Sequence, residues 1–178
     1  RERRRRNTLN YGDLLQLAAQ VLRENAGVRR ALQLKCRWLF VDEFQDTDPV
    51  QAEIIFLLAA SPVAVLAASP VARDFSRANS ADWRTLPLRP GTLFVVGDPK
   101  QSIYRFRRAD IEIYNTVRAR LDDAPVSEVL SLTTNFRSVP ALCDFANTVF
   151  QAKFPVAATA HSPQFAPLDK NREGAGDV

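Results

Sequence analysis

The sequence lacks several features that would assign it directly to a class of protein. Its 178 residues include two cysteines, Cys36 and Cys143, and one histidine, His161. Two cysteines cannot form a disulfide framework, so we expect a reduced intracellular protein. The cysteines show no metal-ligand spacing, and His161 lies in a polar tail, where we assign it no catalytic role. The longest apolar run, residues 62–68, contains a proline and is too short to span a bilayer, which predicts no membrane partner.

The sequence also contains no methionine, and it begins with Arg1. One explanation is a composition that is poor in methionine and rich in Ala, Arg and Leu. The other explanation is that the chain is a piece of a longer protein, and composition alone does not separate the two. Hydrophobic residues make up 46% of the chain and charged residues 25%, values that exclude a wholly disordered protein.

The net charge is modest, and its sign is compatible with a nucleic-acid partner. The formal charge is +4 and the sequence pI is about 9.4. Five of the first six residues are arginines, but a run of this kind is usually a solvated arm or the end of a helix. No apolar segment of a secretory signal follows it.

Apolar spacing and capping residues in the first third of the chain predict two helices, a strand and a third helix. The first helix is predicted to begin at an Asp13 cap and to end near Gly27, and a shorter helix is predicted over 28–34. The run 38–41 predicts a buried strand. Asp48 is predicted to cap a helix that runs to about Ala60, with Pro49 at its first position and Gln51 in a capping box. The predicted inward residues of the first and third helices are Leu14, Leu17, Ala18, Val21, Leu22, Ile54, Ile55, Leu57 and Leu58.

The rest of the sequence continues the alternation of helices and strands, which predicts an α/β domain. Residues 61–91 are rich in Ala, Ser, Pro and Arg, and they predict a surface insertion that is partly mobile. Strands are predicted over 92–96 and 129–132, and a helix capped by Asp110 is predicted over 111–121. Ser138 is predicted to cap a last helix with one apolar face: Leu142, Phe145, Ala146, Val149 and Phe150. From Ala152 onward the composition is typical of a linker.

Polar residues follow all three predicted strands at their carboxyl ends. They are Asp42 and Glu43, then Gly97 and Asp98, then the segment 133–135. In open α/β sheets, ligands bind beyond the carboxyl ends of the strands. The three segments therefore predict one shared site.

The first segment carries adjacent carboxylates, a pattern that suits a nucleotide-hydrolysing site. Of Asp42 and Glu43, one carboxylate would hold Mg²⁺ and the other would orient or deprotonate the attacking water. The alternative is a polar strand end whose acids cap the next helix. Gln45 and Asp46 follow directly and weaken that alternative.

The second segment, 97–110, combines a glutamine with interleaved aromatic and basic residues. Gln101 could sense a terminal phosphate through its amide. Tyr104 and Phe106 would stack on bases, and each stacked base is worth roughly 1–3 kcal/mol in single-strand binding. The neighbouring arginines Arg105, Arg107 and Arg108 would meet phosphates. The alternative is a pair of core aromatics beside solvated arginines.

The third segment, 132–138, contains an aromatic residue and an arginine before a helix. Arg137 could stabilise charge on a transferring phosphoryl group, as an arginine finger does. Phe136 offers a flat face for a nucleobase. The alternative is that an arginine before a helix cap serves only the structure.

Taken in order, the three segments resemble those of UvrD/Rep-like superfamily 1 DNA helicases. The run 42–47 is similar to helicase motif II, the Walker B element; 97–110 is similar to motif III, and 132–138 to motif IV. The run 11–15 is similar to a family helix before motif II, although Gly12 stands where an acid is usual. The resemblance covers about residues 9–151.

The resemblance implies a fold and nucleotide-binding roles. Residues 1–151 would be part of the first RecA-like motor domain of a P-loop NTPase, and 152–178 a linker or the start of another domain. Asp42 would serve Mg²⁺ and Glu43 would activate water. Gln101 and Arg137 would contact the γ-phosphate of ATP, and Phe136 would lie against the adenine.

The resemblance also implies a surface that binds single-stranded or duplex DNA. Phe106 would stack on a base, Tyr104 would support the segment, and Arg107 and Arg108 would lie near the strand. Arg108 stands where monofunctional helicases of the family more often have glycine, and Phe106 where they have tryptophan. This pattern looks more like RecB/AddA-type helicase–nuclease subunits, which implies partner subunits and a bacterial, nucleoid-associated, cytoplasmic location.

One expected element of such a motor is missing from the sequence. No Gly-x-x-x-x-Gly-Lys-Ser/Thr phosphate loop occurs anywhere in the 178 residues. We therefore expect a piece of a longer ATP-dependent helicase that does not hydrolyse ATP by itself. The alternatives are a monofunctional repair helicase without a nuclease, and a non-catalytic scaffold that binds DNA or a partner.

Overall fold

The computed structural model describes residues 9–61, 82–102, 111–124, 127–159 and 162–171. The chain divides into two compact units, Arg1–Ser127 and Glu128–Val178. The sequence-based division falls after residue 151 instead. In the described parts of the chain, no helix is long and apolar enough to cross a bilayer.

The first unit begins with two helices, α1 (Tyr11–Glu24) and α2 (Ala26–Lys35). Asn10 caps α1 by accepting from the backbone N–H of Asp13, whose side chain accepts from Asn10 N–H in return. The prediction of Asp13 as the cap was therefore wrong by three residues. Gly27 was also wrong as a stop, because Asn25 ends α1 and caps α2, which contains Gly27.

Only part of the predicted apolar face of α1 is buried. Leu22 packs in the core, and Ala19, which the prediction left out, is also buried. Leu14, Leu17, Ala18 and Val21 are exposed. The helix therefore packs along a narrower stripe than its apolar spacing predicts.

A two-stranded parallel sheet follows, made of β1 (Leu39–Val41) and β2 (Leu93–Val95). Both strands lie where the sequence predicts them, and the α/β class is confirmed. Val41, Leu93 and Val95 pack toward the core of the unit. Because the strands are parallel and in register, the segments that follow them leave the sheet at the same edge.

Helix α3 (Pro49–Ala59) begins as predicted, with Asp48 as its cap, Pro49 at its first position and Gln51 in the capping box. Of the predicted inward residues Leu57 is buried, and Ile54, Ile55 and Leu58 are partly buried against the core. The most deeply packed large side chain was missed. Phe56 is fully buried, and its ring lies 5.0 Å from that of Trp83.

Part of the predicted insertion packs into the core, so the prediction that the whole stretch lies on the surface was wrong. Trp83 and Leu86 are buried in the same cluster as Phe56. Arg89 donates to the carbonyl oxygens of Gln33, Cys36 and Leu58, at 2.9 to 3.2 Å. These bonds hold the segment against α2 and α3. Residues 62–81 lie outside the described residues.

Helix α4 (Ile111–Asp123) completes the first unit where the sequence predicts it. Ile113 and Val117 face the core. Its predicted cap, Asp110, lies outside the described residues. The core thus lies between α1, α3, α4 and the inner face of the sheet.

The second unit contains helix α5 (Pro140–Gln151) and a two-stranded parallel sheet. The sheet is made of β3 (Thr134–Asn135) and β4 (Asp169–Lys170). The predicted strand at 129–132 was wrong, because the chain becomes a strand only at Thr134. The predicted polar strand end, 133–135, therefore includes the strand itself, and β3 pairs with β4 rather than with β1 or β2.

Two further predictions for the second unit were wrong. Val139 precedes α5 without a side-chain cap, and Ser138 instead donates its backbone N–H to Asn135 Oδ1. The buried residue of α5 is Cys143. Four residues of the predicted apolar face are exposed: Leu142, Phe145, Val149 and Phe150. The described tail is also ordered enough to form β4, and Asn147 holds it through both hydrogen bonds to Leu168.

Candidate nucleotide site

The two carboxylates predicted as catalytic lie directly beyond the carboxyl end of β1. Asp42 and Glu43 are both exposed, and Asp42 Oδ1 accepts the backbone N–H of Glu43 at 2.9 Å. Glu43 has φ 53° and ψ 39°, the left-handed conformation, and it is the one non-glycine residue with positive φ among those described. A non-glycine residue in this region carries strain of about 1–2 kcal/mol. Strain of this kind often marks functional sites.

A 3₁₀ turn, Phe44–Asp46, follows the carboxylates and carries one buried polar side chain. Gln45 is 1% exposed. Its Nε2 donates to Glu43 Oε2 at 2.6 Å, and its Oε1 accepts the backbone N–H of Asp98 at 2.9 Å. The amide of Gln45 therefore joins the segment after β1 to the segment after β2.

The segment after β2 turns back on itself through Asp98. Asp98 Oδ1 accepts the backbone N–H of Lys100 at 3.0 Å, and its Oδ2 accepts Gln101 Nε2 at 3.1 Å. Ser102 Oγ donates to the carbonyl oxygen of Gln45 at 3.1 Å. Asp98 thus fixes the side chain of Gln101, the predicted γ-phosphate sensor, and Ser102 ties the same segment to the turn after Glu43.

Glycine is required at position 97 because the backbone there lies against Gln45. A Cβ at Gly97 would lie 2.9 Å from Gln45 Oε1 and 3.2 Å from a ring carbon of Tyr114. Real Cβ atoms essentially never come within 3.0 Å of another heavy atom, and few come within 3.4 Å, so a side chain at position 97 would force Gln45 to move. The close approach at Gly97 allows the two segments to pack with the amide of Gln45 between them.

Two ionisable groups in this region have perturbed pKa values. Burial, and secondarily the charge of Glu43, raises the pKa of Asp46 above its ordinary value. Asp46 Oδ1 is buried and has no hydrogen-bond partner among the described residues. Burial also raises the pKa of Tyr114, whose hydroxyl donates to the carbonyl oxygen of Gly97.

The carboxylates here suit a magnesium ion that is bound with a nucleotide, but not a dedicated metal cage. No group of three or more metal-ligating side chains occurs among the described residues. Mg²⁺ typically takes one or two protein carboxylates and completes its octahedron with water and substrate phosphates. Asp42 is exposed, and only its Oδ1 is engaged, with a backbone N–H. It can therefore serve as a single carboxylate ligand.

The second unit presents the other two predicted nucleotide contacts on a tight turn. Asn135 Oδ1 accepts the backbone N–H of Arg137 and of Ser138, both at 2.8 Å. This arrangement is an Asx turn, in which a short polar side chain replaces a backbone acceptor. It leaves the side chains of Phe136 and Arg137 exposed, and Phe136 is 67% exposed.

The predicted DNA contacts Tyr104, Phe106, Arg107 and Arg108 lie outside the described residues. Within the first unit the structure places Asp42 next to Glu43 and connects Glu43 to Gln101 through Gln45 and Asp98, and within the second it presents Phe136 and Arg137.

Sequence reasoning did not assign roles to Gln45, Asp98 or Asn135, which organise these segments. For Gln45, the signal was a polar residue between Phe44 and Asp46, immediately after the carboxylate pair. For Asn135, it was an asparagine two residues before the arginine, a spacing typical of an Asx turn.

Comparison with known proteins gives both a family and a set of relatives. Residues 1–122 match the model of the UvrD/REP helicase N-terminal domain. An ATP-dependent helicase/nuclease protein of Levilactobacillus brevis is 32% identical over 155 residues, which cover 84% of this chain and 10% of that protein. The RecB protein of the RecBCD enzyme of Chlamydia muridarum is 33% identical over 148 residues, covering 83% and 12%. RecB of Escherichia coli is 34% identical over 152 residues, covering 84% and 10%. The chain spans about a tenth of the length of these curated relatives.

Proposed function

We propose that this chain, which belongs to the UvrD/REP helicase N-terminal domain family, forms part of a motor that couples ATP hydrolysis to movement along single-stranded DNA. One observation carries the proposal. A series of hydrogen bonds connects Glu43, Gln45, Asp98 and Gln101, so that a carboxylate suited to activating water is linked to an amide suited to sensing phosphate. A strand end that merely capped the next helix would not need this link, since Asp48 already caps α3.

The roles of the carboxylates follow from their surroundings. Asp42 would hold Mg²⁺, which when bound neutralises phosphate charge. Glu43 would orient and deprotonate the attacking water, because its carboxylate is exposed to solvent and held on one side by Gln45. Gln101 would donate its amide to the γ-phosphate, and its bond to Asp98 sets the direction of that amide.

The exposed turn of the second unit supplies residues of a different type. Arg137 would contact the γ-phosphate and stabilise charge as the phosphoryl group transfers. Phe136 would lie flat against the adenine. The bonds from Asn135 hold the backbone of this turn while the two side chains remain free to meet a nucleotide.

The DNA contacts and partners form the next part of the proposal. Tyr104, Phe106, Arg107 and Arg108 would bind the strand, with Phe106 stacked on a base. The names of the relatives favour a helicase–nuclease subunit over a monofunctional helicase, so we propose DNA and partner subunits of such a complex as ligands. The location would be the bacterial cytoplasm, on the nucleoid. Residues 1–151 would belong to the first motor domain and 152–178 would connect it to the next.

DNA-stimulated ATPase activity tests the proposal directly. The protein should be expressed from the full open reading frame that encodes this chain, and turnover measured with and without single-stranded DNA. We expect stimulation by DNA, and we expect Glu43→Gln to lower kcat by about 10²- to 10⁴-fold while nucleotide binding is retained. The control is Glu24→Gln on the exposed surface of α1.

Two results would contradict the proposal. The first is wild-type turnover by Glu43→Gln, which would remove Glu43 from the role of base. The second is full-length protein that neither hydrolyses ATP nor binds DNA. We also expect the 178-residue chain alone to show no DNA-stimulated turnover, because its sequence has no phosphate loop.

A further inference from the structure

We propose that Gln45 is a positioning residue, which fixes the carboxylate of Glu43 and ties its placement to the segment that carries Gln101. The inference rests on the proposed ATP hydrolysis and adds a residue to that site. Gln45 itself does not touch nucleotide. It acts through Glu43 on one side and through Asp98 on the other.

The two hydrogen bonds of the Gln45 side chain need an amide in one orientation. The carboxylate of Glu43 can only accept, and the backbone N–H of Asp98 can only donate. Nε2 must therefore face Glu43 and Oε1 must face Asp98. The structure has this orientation, with distances of 2.6 Å to Glu43 Oε2 and 2.9 Å to the backbone N of Asp98. Ionised glutamate in this position could accept from Asp98 but could not donate to Glu43, and an apolar residue could do neither.

The packing around Gln45 prevents the amide from moving away. The side chain is 1% exposed, and the backbone at Gly97 lies close enough that a Cβ there would clash with Oε1. The carbonyl oxygen of Gln45 is held by Ser102 Oγ. A group fixed in this way can hold a neighbouring carboxylate in one place without paying for its own ordering when substrate binds.

Glu43 needs such support because it is otherwise exposed. Its backbone is set by the left-handed turn, but its carboxylate projects into solvent, where it would rotate freely without the bond from Gln45. Misplacing a catalytic group by about 1 Å can cost about 100-fold in rate. Loss of Gln45 is therefore expected to act on turnover rather than on nucleotide binding.

Two substitutions in the full-length protein separate the two bonds. Ionised Gln45→Glu keeps the acceptor for Asp98 and removes the donor to Glu43, whereas Gln45→Leu removes both at any pH. We expect both variants to lower kcat for DNA-stimulated ATP hydrolysis by about tenfold or more, with KM for ATP changed by less than about threefold. Both variants should be less stable than the wild type, because Gln45→Leu leaves a buried N–H without an acceptor and Gln45→Glu buries a second carboxyl beside Glu43.

A second buried glutamine provides the matched control. Gln33 is 2% exposed, and its Nε2 donates to the carbonyl oxygens of Leu57 and Ala60, away from the carboxylates. Gln33→Leu should lower the unfolding temperature, as Gln45→Leu does, but leave kcat within about twofold below the melting transition. Wild-type kcat in Gln45→Leu would overturn the proposal, and so would an equal loss of kcat in Gln33→Leu.

Hydrogen exchange tests the placement of Gln45 without turnover. The backbone amide of Asp98 should exchange about tenfold faster in Gln45→Leu than in the wild type, and at a near wild-type rate in Gln45→Glu. The side-chain amide protons of Gln45 should exchange faster in Glu43→Ala. Unchanged exchange in both comparisons would overturn the proposal. A wild-type protein without ATPase activity but with these exchange patterns would count against the proposed function alone.

Discussion

The two compact units hold their proposed nucleotide contacts in different ways. In the first unit, Glu43 and Gln101 are connected through hydrogen bonds that span more than 50 positions, from Gln45 to Asp98. In the second unit, the turn that presents Phe136 and Arg137 is held by Asn135, at most three positions away. The first arrangement exists only when the unit is folded, whereas the second is encoded almost entirely by neighbouring residues.

The units also differ in how much apolar surface they bury. The first has a continuous core around Phe44, Phe56 and Trp83. Among the described residues of the second, the buried side chains are Cys143 and Pro163. Since apolar burial is the main stabilising term, the first unit should carry most of the free energy of unfolding. The hydrogen bonds between distant residues therefore lie in the unit with the larger core, and the locally determined turn lies in the unit with the smaller one.

Removing one aromatic side chain from each unit should test this difference in stability most directly. Phe56 is fully buried, packs on Trp83 and lies beneath the guanidinium of Arg120, so Phe56→Ala should cost about 3–5 kcal/mol in the free energy of unfolding. Phe145 on α5 is 66% exposed, and Phe145→Ala should change it by less than about 0.5 kcal/mol. Urea denaturation measures both. Equal losses would show that the second unit depends on its apolar helix face as much as the first depends on its core.

The sequence predicted the parts of the fold whose signals are local and strong. The capping box at Asp48, the two parallel strands and the boundaries of α3 and α4 were confirmed, and the family resemblance was confirmed by the match over residues 1–122. Each follows from periodicity, caps or motif order, which neighbouring residues determine.

The sequence did not predict features that depend on distant contacts. Trp83 and Leu86 lie in a stretch of loop-like composition, yet they complete the core with Phe56. The third strand was placed too early, because pairing with β4 selects Thr134 and Asn135 over the more apolar residues before them. The role of Gln45 also depends on a partner far along the chain. Composition contains no information about such pairings.

The turn of the second unit should depend on one side chain. Asn135→Ala removes the acceptor for two backbone N–H groups and should destabilise this turn by about 1 kcal/mol. Ser138 was predicted as a cap, but its hydroxyl makes only a 3.4 Å contact with Asn135 Nδ2, so Ser138→Ala should have a much smaller effect. Amide exchange at Arg137 and Ser138 measures the difference. A larger effect from Ser138→Ala would support the predicted cap at Ser138 and contradict the Asx turn.

The left-handed backbone of Glu43 allows the strain in the first unit to be measured. Glu43→Gly and Glu43→Ala both remove the carboxylate and its bond from Gln45, but only glycine adopts φ 53° without steric cost. The glycine variant should therefore be the more stable by about 1 kcal/mol, and both should be inactive. Thermal unfolding of the two variants gives the comparison. Equal stability would mean that the turn relaxes to another conformation and that the site is not strained.

The smallest expected effect concerns a carboxyl group that the first unit buries at a cost. The pKa of Asp46 is raised above 3.8, first by burial and then by the charge of Glu43, so ionisation of Asp46 opposes folding. Asp46→Asn should therefore raise the free energy of unfolding near pH 7. The gain should shrink as the pH falls through the raised pKa and vanish below 3.8, where the carboxyl is neutral in both the folded and unfolded states.

The second unit contains an acid that contrasts with Asp46. Asp144 there forms an exposed ion pair with Lys170, and such pairs are worth about 0–1 kcal/mol. Asp144→Asn should therefore stabilise the protein at no pH. Chemical denaturation at a series of pH values distinguishes the two acids. If Asp46→Asn destabilised the protein at pH 7, the ionised carboxylate would have to be making a favourable contact, and the burial of Asp46 would then be a source of stability rather than a cost.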